Sequence, residues 1–189
     1  MRLQHLFIFL ACCLASVQGH ASDLSDKLRG TDYVLLMRHT SAPGVGDPAN
    51  YNLDQCHTQR NLSPEGRKQA NGVGRWLKKQ GVLKAQVFSS AWCRCKDTAE
   101  LLGFNGFAVE PSLGSFFDNM DQATRSTQNL QQFISAQLKN KGNQALILVT
   151  HHVNIHAFMG ENVDSGDLVL AKVDDQGKML SYTVIARPQ

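Results

Sequence analysis

Tyr33-Val34-Leu35-Leu36-Met37-Arg38-His39 is the stretch on which the reading of the fold turns. Five consecutive residues are aromatic or aliphatic, and the run ends on two basic side chains. An apolar run of this length without alternation predicts a strand buried on both faces, the kind found in parallel sheets covered by helices. Its polar end falls at the strand's carboxyl edge, where α/β sheets bind their ligands. The pattern returns at Ala145-Leu-Ile-Leu-Val-Thr-His-His152, and in shorter form at Gln86-Val-Phe-Ser89, which is followed by Ser90 and Arg94.

Helical signals lie between these runs. Ser63-Pro64-Glu65 combines an N-cap, a proline at the first helical position and an acid in the first turn, and predicts a helix to about Lys79 that stops at Gly81. Further helices are expected over 93–102, ending at Gly103, over 123–138, and over 153–159, closed by Gly160. In the span 123–138 Leu130, Phe133, Ile134 and Leu138 share a face. Ala108-Val109 reads as a brief strand, and 167–173 with 179–185 as an antiparallel pair joined across 174–177. Residues 40–62 are rich in Gly, Pro, Asn and Asp and predict a long loop, a length that is uncommon without a functional reason. The expected fold class is therefore α/β: a single domain with a mostly parallel central sheet, helices on both faces and a C-terminal antiparallel strand pair.

The flanking sequence bounds what such a domain can serve. Arg2, the apolar segment Leu6 to Ala15 and the small residues Gly19 and Ala21 predict a signal peptide over 1–21, with the folded domain over 22–189. A buried N-terminal helix, or a lipid anchor on Cys12 or Cys13, are the alternatives. The expected location is periplasmic or secreted, with no stable membrane insertion once the signal is removed, because the apolar run is too short to span a bilayer. A net charge of +3 with scattered Lys and Arg is too small to suggest a nucleic-acid partner, and none is expected. Oligomeric state is not readable from the chain. Cys56, Cys93 and Cys95 remain after signal removal. Export makes a bridge from Cys56 to either Cys93 or Cys95 reasonable, and three reduced cysteines are the alternative. A Cys-x-Cys pair with one distant Cys lacks the fourth ligand of a zinc site.

Parallel neighbours would bring Arg38-His39, Ser89-Ser90 with Arg94, and Thr150-His151-His152 to one rim of the sheet, an anion site assembled from distant segments. Phosphoryl transfer requires such a set. The oxygens must be held, their charge stabilised, and a nucleophile placed in line with the leaving group. Arginine binds bidentately and stays charged. A neutral imidazole can attack phosphorus and divide one hard step into two.

Four motifs in order resemble the histidine phosphatase superfamily, which includes the phosphoglycerate mutases. They are Leu36-Met-Arg38-His39, Leu62-Ser-Pro-Glu-Gly66-Arg-Lys-Gln69-Ala70, Ser89-Ser90-x-x-x-Arg94-x-x-x-Thr98-Ala99 and Val149-Thr150-His151. The pieces Asp54-Gln-Cys56, Thr58-Gln-Arg60-Asn61 and Cys93-Arg94-Cys95 resemble an exported bacterial subgroup. The resemblance implies a phosphoglycerate mutase-like fold and a phosphatase acting on a phosphomonoester or phosphoramidate. It makes His39 the phosphoryl acceptor, Arg38 and Arg94 phosphate ligands, and His151 the group that completes the pocket, with Arg60 as a further phosphate contact. No cofactor or metal is implied, and the partner is a small phosphorylated substrate.

The departures are informative. Thr40 and His152 stand where the family often has Gly. Ser115, within Pro111-Ser-Leu-Gly-Ser-Phe-Phe117, stands where a Glu acid is expected. Asp118 or Asp121 from the loop, or His152, are the candidate proton donors. Two rival readings follow: a non-catalytic anion-binding module of the same fold, and a metal-dependent hydrolase using His152 and His156, which lie one helical turn apart.

Overall fold

The computed structural model describes residues 23–188, so the expected signal peptide at 1–21 lies outside the described residues. Tyr33–Arg38 (β1) and Ala145–Thr150 (β4) form as continuous buried strands, paired in parallel with Leu35 opposite Ile147 and Arg38 opposite Thr150. The other strands are Ala85–Ser89 (β2), Ala108–Val109 (β3), Leu168–Val173 (β5) and Met179–Ile185 (β6). They make one sheet in the order β3-β2-β4-β1-β5-β6. The first four strands in that order are parallel, and β5 and β6 complete the sheet as an antiparallel pair.

Among the described residues five helices cover this sheet: Asp23–Arg29 (α1), Pro64–Lys79 (α2), Cys93–Leu101 (α3), Ala123–Asn140 (α4) and His152–Met159 (α5). The period-two alternation of side chains along each strand divides the core into two layers. Leu35, Met37, Val87, Ile147 and Val149 pack with Leu24 and Leu28 of α1, Val73 and Leu77 of α2, and Ala99 of α3. Val34, Leu36, Leu146 and Leu148 pack on the opposite face with Leu130, Ile134 and Leu138 of α4 and Ile155 and Phe158 of α5. α1 was not expected from the sequence. Buried Lys141 ties it down, donating from Nζ to the carbonyls of Leu28 (2.9 Å) and Gln144 (2.8 Å). Among the described residues no helix is long and apolar enough to cross a membrane.

The long segment after β1 is ordered by side-chain hydrogen bonds rather than by a periodic element. Gln59 donates from Nε2 to the Asn52 carbonyl (2.9 Å) and accepts at Oε1 from the Cys93 amide (2.9 Å). Thr58 Oγ1 donates to Gln55 O (2.7 Å), and a short 3₁₀ turn forms over Cys56–Thr58. A disulfide joins Cys56 to Cys93, the first residue of α3, and leaves Cys95 as a buried free thiol.

Candidate active site

The chain reverses into α2 where the sequence predicts it. Ser63 caps the helix, its Oγ accepting from the Gly66 amide at 3.0 Å. Gln69, one turn on, accepts at Oε1 from the Ser41 amide (3.1 Å). The Leu62-to-Ala70 motif thus holds the backbone just beyond His39. Thr40, where glycine was expected, is fully buried; its amide reaches Thr98 Oγ1 at 3.2 Å, and the two hydroxyls are also 3.2 Å apart. α3 is thereby fastened to the segment that carries His39.

The carboxyl ends of β2, β4 and β1 meet around a cavity of about 230 Å³, lined by Arg38, His39, Arg60, Arg94, His151 and His152 among others. His39 is 1% exposed. Its Nδ1 lies 2.8 Å from the Thr40 carbonyl. A carbonyl only accepts, so Nδ1 carries the proton and Nε2 keeps its lone pair. Burial lowers the His39 pKa to about 3; Arg94, Arg60 and Arg38 act in the same sense, and the Thr40 carbonyl opposes them. The imidazole is therefore neutral across the ordinary pH range, the state in which it is a nucleophile.

His151 lies beside it, with ring centroids 5.6 Å apart. Its Nδ1 faces Arg94 Nη2 at 3.4 Å, and its Nε2 is 2.8 Å from Ser90 Oγ. Guanidinium only donates, so Nδ1 accepts and Nε2–H donates to Ser90. Burial, followed by His39 and Arg94, holds His151 well below its usual value. Cys95 packs beneath, its Sγ 3.5 Å from His151 Nε2, and burial pushes its thiol up to about 12, which makes it inert.

Both cradle arginines are tethered by one outer nitrogen. Arg38 Nη1 donates to the Val163 carbonyl at 2.7 Å. Arg94 Nη1 donates to both oxygens of Asp47, at 2.9 and 3.0 Å. The Nε atoms of Arg38 and Arg94 are buried and have no hydrogen-bond partner among the described residues. Buried donors are rarely left so, and two on adjacent guanidinium groups point to an anion as the missing acceptor. α5 adds to this field. Its N-terminal residues His151 and His152 line the cavity and no side chain caps it, so the positive end of its dipole faces the same space. Arg60 lines the cavity too, but it also braces the loop, donating from Nε to Gly46 O (2.7 Å) and from Nη1 to Ala42 O.

The candidate proton donors separate. His152 lines the cavity, and burial with the Arg38 charge lowers its pKa from the usual histidine value. Asp118 lines the cavity as well, near Tyr51, whose hydroxyl is raised first by burial and then by the Asp118 and Asp47 carboxylates. Asp121 does not line it and sits exposed on the turn Met120–Gln122. Ser115 faces the cavity in the expected acid position. Its loop is held by Thr150 Oγ1 donating to Leu113 O (2.7 Å) and Asn154 Nδ2 donating to Gly114 O (2.8 Å). His156 is exposed on the last turn of α5, and among the described residues no three His, Cys, Asp or Glu side chains converge to hold a metal ion. Asp47 and Trp92 were missed in the sequence. The signal for Asp47 was a lone acid between Gly46 and Pro48 in a loop, which nothing distinguishes from a surface aspartate.

The sequence profile of the histidine phosphatase superfamily (branch 1) matches residues 34–114, the span that carries Arg38, His39 and Arg94. The chain matches none of the curated proteins with which it was compared. Among solved structures it resembles the protein histidine phosphatase SixA complexed with tungstate, with 20% identity and a TM-score of 0.56, covering 82% of this chain and 96% of that one. It also resembles a mycobacterial glucosyl-3-phosphoglycerate phosphatase, with 14% identity and a TM-score of 0.58, covering 83% and 98%. A phosphoserine phosphatase from Entamoeba histolytica, in complex with 3-phosphoglyceric acid, gives 12% identity and a TM-score of 0.57, covering 83% and 96%. These likenesses cover more of the chain than the matched segment and show the shared fold, while over residues 34–114 the chain carries the sequence pattern of the histidine phosphatase superfamily (branch 1).

Proposed function

We propose that this protein is an exported phosphatase that removes the phosphoryl group of a small phosphorylated substrate through a phosphohistidine on His39. The observation that carries the reading is the state of His39: a buried, neutral imidazole, its Nδ1–H held by Thr40 O and its Nε2 lone pair free, beside two guanidinium groups with unpartnered Nε–H donors. In the first step Nε2 forms a bond to phosphorus as the bond to the leaving group breaks, and the leaving group departs with the electron pair. The Thr40 carbonyl stabilises the charge that the ring then carries. In the second step water attacks phosphorus, the N–P bond returns its electrons to Nε2, and inorganic phosphate leaves. Arg38 and Arg94 hold the oxygens throughout.

The leaving group follows from the far wall of the cavity. Ser115 supplies no strong acid, and burial with the Arg38 charge lowers the His152 pKa, which disfavours its protonated form. Asp118, which also lines the cavity, is the residue we assign to protonate a poorer leaving oxygen. Substrates with good leaving groups, such as aryl esters and a phosphohistidine whose ring leaves as neutral imidazole, are therefore turned over fastest. Structures of this fold are named as a protein histidine phosphatase and a glucosyl-3-phosphoglycerate phosphatase, so the scaffold accommodates both P–N and P–O bonds. The Cys56–Cys93 disulfide supports export, since such bonds persist in oxidising compartments.

The test is hydrolysis of para-nitrophenyl phosphate, with a chelator present, by protein recovered from the exported fraction, whose first residue is expected to be Ser22. His39→Ala should lower kcat by about a thousandfold or more. Turnover that survives in His39→Ala would remove the nucleophile assignment. Phosphate binding without turnover in the wild type would favour the non-catalytic anion-binding module, and protein found only in the cytoplasmic fraction would remove the export reading.

A further inference from the structure

Asp47 is as buried as its partner Arg94, each side chain being 4% exposed, and it joins three separate parts of the site. Its Oδ1 accepts from the Arg60 amide (2.9 Å) and from Arg94 Nη1 (2.9 Å). Its Oδ2 accepts from Arg94 Nη1 (3.0 Å) and from the Trp92 indole Nε1 (3.1 Å). Every one of these bonds is donated by an N–H. Both oxygens act as acceptors, so Asp47 in this arrangement has no proton to give and does not replace the acid absent at Ser115.

Nor does it occupy the edge of Arg94 that an oxyanion would use. It holds Nη1 alone and leaves Nε unpartnered among the described residues, while Nη2 makes only the 3.4 Å contact with His151. Arg38 is built the same way with a different anchor, Nη1 on the Val163 carbonyl and Nε unpartnered. In each case the protein ties one outer nitrogen and leaves the Nε/Nη2 edge over. A guanidinium fixed in this manner meets a phosphoryl group in one orientation, without first losing rotational freedom.

We propose that Asp47 is a positioning residue: it pins Nη1 of Arg94 so that the Nε/Nη2 edge meets the phosphoryl group, and it locks Trp92 and the loop bearing Arg60 to the same carboxylate. The proposal rests on the reading of the cavity as a phosphoryl site. It is tested by equilibrium binding of orthovanadate to the whole protein, beside turnover of para-nitrophenyl phosphate and a thermal melt. Asp47→Asn keeps the shape but turns an amide NH₂ toward N–H donors; vanadate affinity and kcat should fall about ten- to a hundredfold. In an Arg94→Ala background the same change should add little, because the residue acts through Arg94.

Wild-type vanadate affinity in Asp47→Asn would overturn the proposal. Tighter binding would also overturn it and would mean that the carboxylate competes with the anion. A full loss repeated in the Arg94→Ala background would place the effect in the loop instead, and is likewise an overturning result. Should Asp47→Asn not fold, Asp47→Glu carries the test: it keeps the charge, displaces Nη1 and should bind vanadate more weakly than wild type, whereas equal binding overturns the proposal. A wild-type protein that takes up no vanadate would instead remove the phosphoryl-site reading on which the proposal stands.

Discussion

A methyl group at position 66 would stand 2.1 Å from the Ser41 carbonyl oxygen, a backbone atom with nowhere to move. Gly66 is therefore a packing requirement: it lets α2 lie against the segment that leaves His39, and Gln69 and Ser63 fasten the contact. Gly66→Ala should destabilise the fold by about 1–3 kcal/mol through overpacking, and should also lower kcat/KM by displacing the residues next to the nucleophile. Urea unfolding and para-nitrophenyl phosphate turnover measure both, and wild-type values would show that α2 does not lie this close. At this scale Arg38, His39, Arg94 and His151 were legible because each follows a recognisable strand or opens a helix. Asp47 and Trp92 were not, because their partners lie 47 and 45 residues away along the chain and no local spacing encodes that.

The segment between β1 and α2 behaves as an element without being a helix or a strand. The disulfide fixes its middle to α3, Gln59 bonds to the first amide of that helix, and Arg60 braces it from within. The double substitution Cys56→Ser with Cys93→Ser reopens a loop of 37 residues, which should cost about 2–4 kcal/mol. KM should rise as Arg60 and Asp47 loosen, with the far-UV circular dichroism unchanged; an unaltered KM would mean that the hydrogen bonds alone hold the cradle. The regular elements were readable from apolar period, caps and glycine stops. This segment was readable only as a loop, because side-chain-to-backbone bonds leave no periodic trace. α1 went unread for a related reason: seven residues with Leu24 and Leu28 as the only two buried aliphatics carry too little pattern.

For the whole molecule, the buried histidines link folding to pH. His39 has a folded value of about 3 against 6.5 when exposed, and His151 and His152 are lowered as well, burial being the first cause in each. The unfolded chain then binds more protons, so stability is full above 6.5 and is lost as pH falls toward the folded values. Each histidine adds a slope of up to about 1.4 kcal/mol per pH unit in that window. Urea midpoints should drop between about pH 7 and about pH 4.5, and His39→Asn should flatten the slope. Equal midpoints at the two pH values would contradict the burial of these rings.

The strand order carries a consequence in time as well as in space. β4 lies between β1 and β2, yet it is made long after both. While the chain emerges from the N-terminus, the half that holds His39 and the half that holds Arg94 have no common sheet edge, and His151 is not yet beside His39. Insertion of Ala145–Thr150 joins β1 to β2 and delivers His151 in the same event, so uniting the two halves of the sheet and pairing the two histidines are one step.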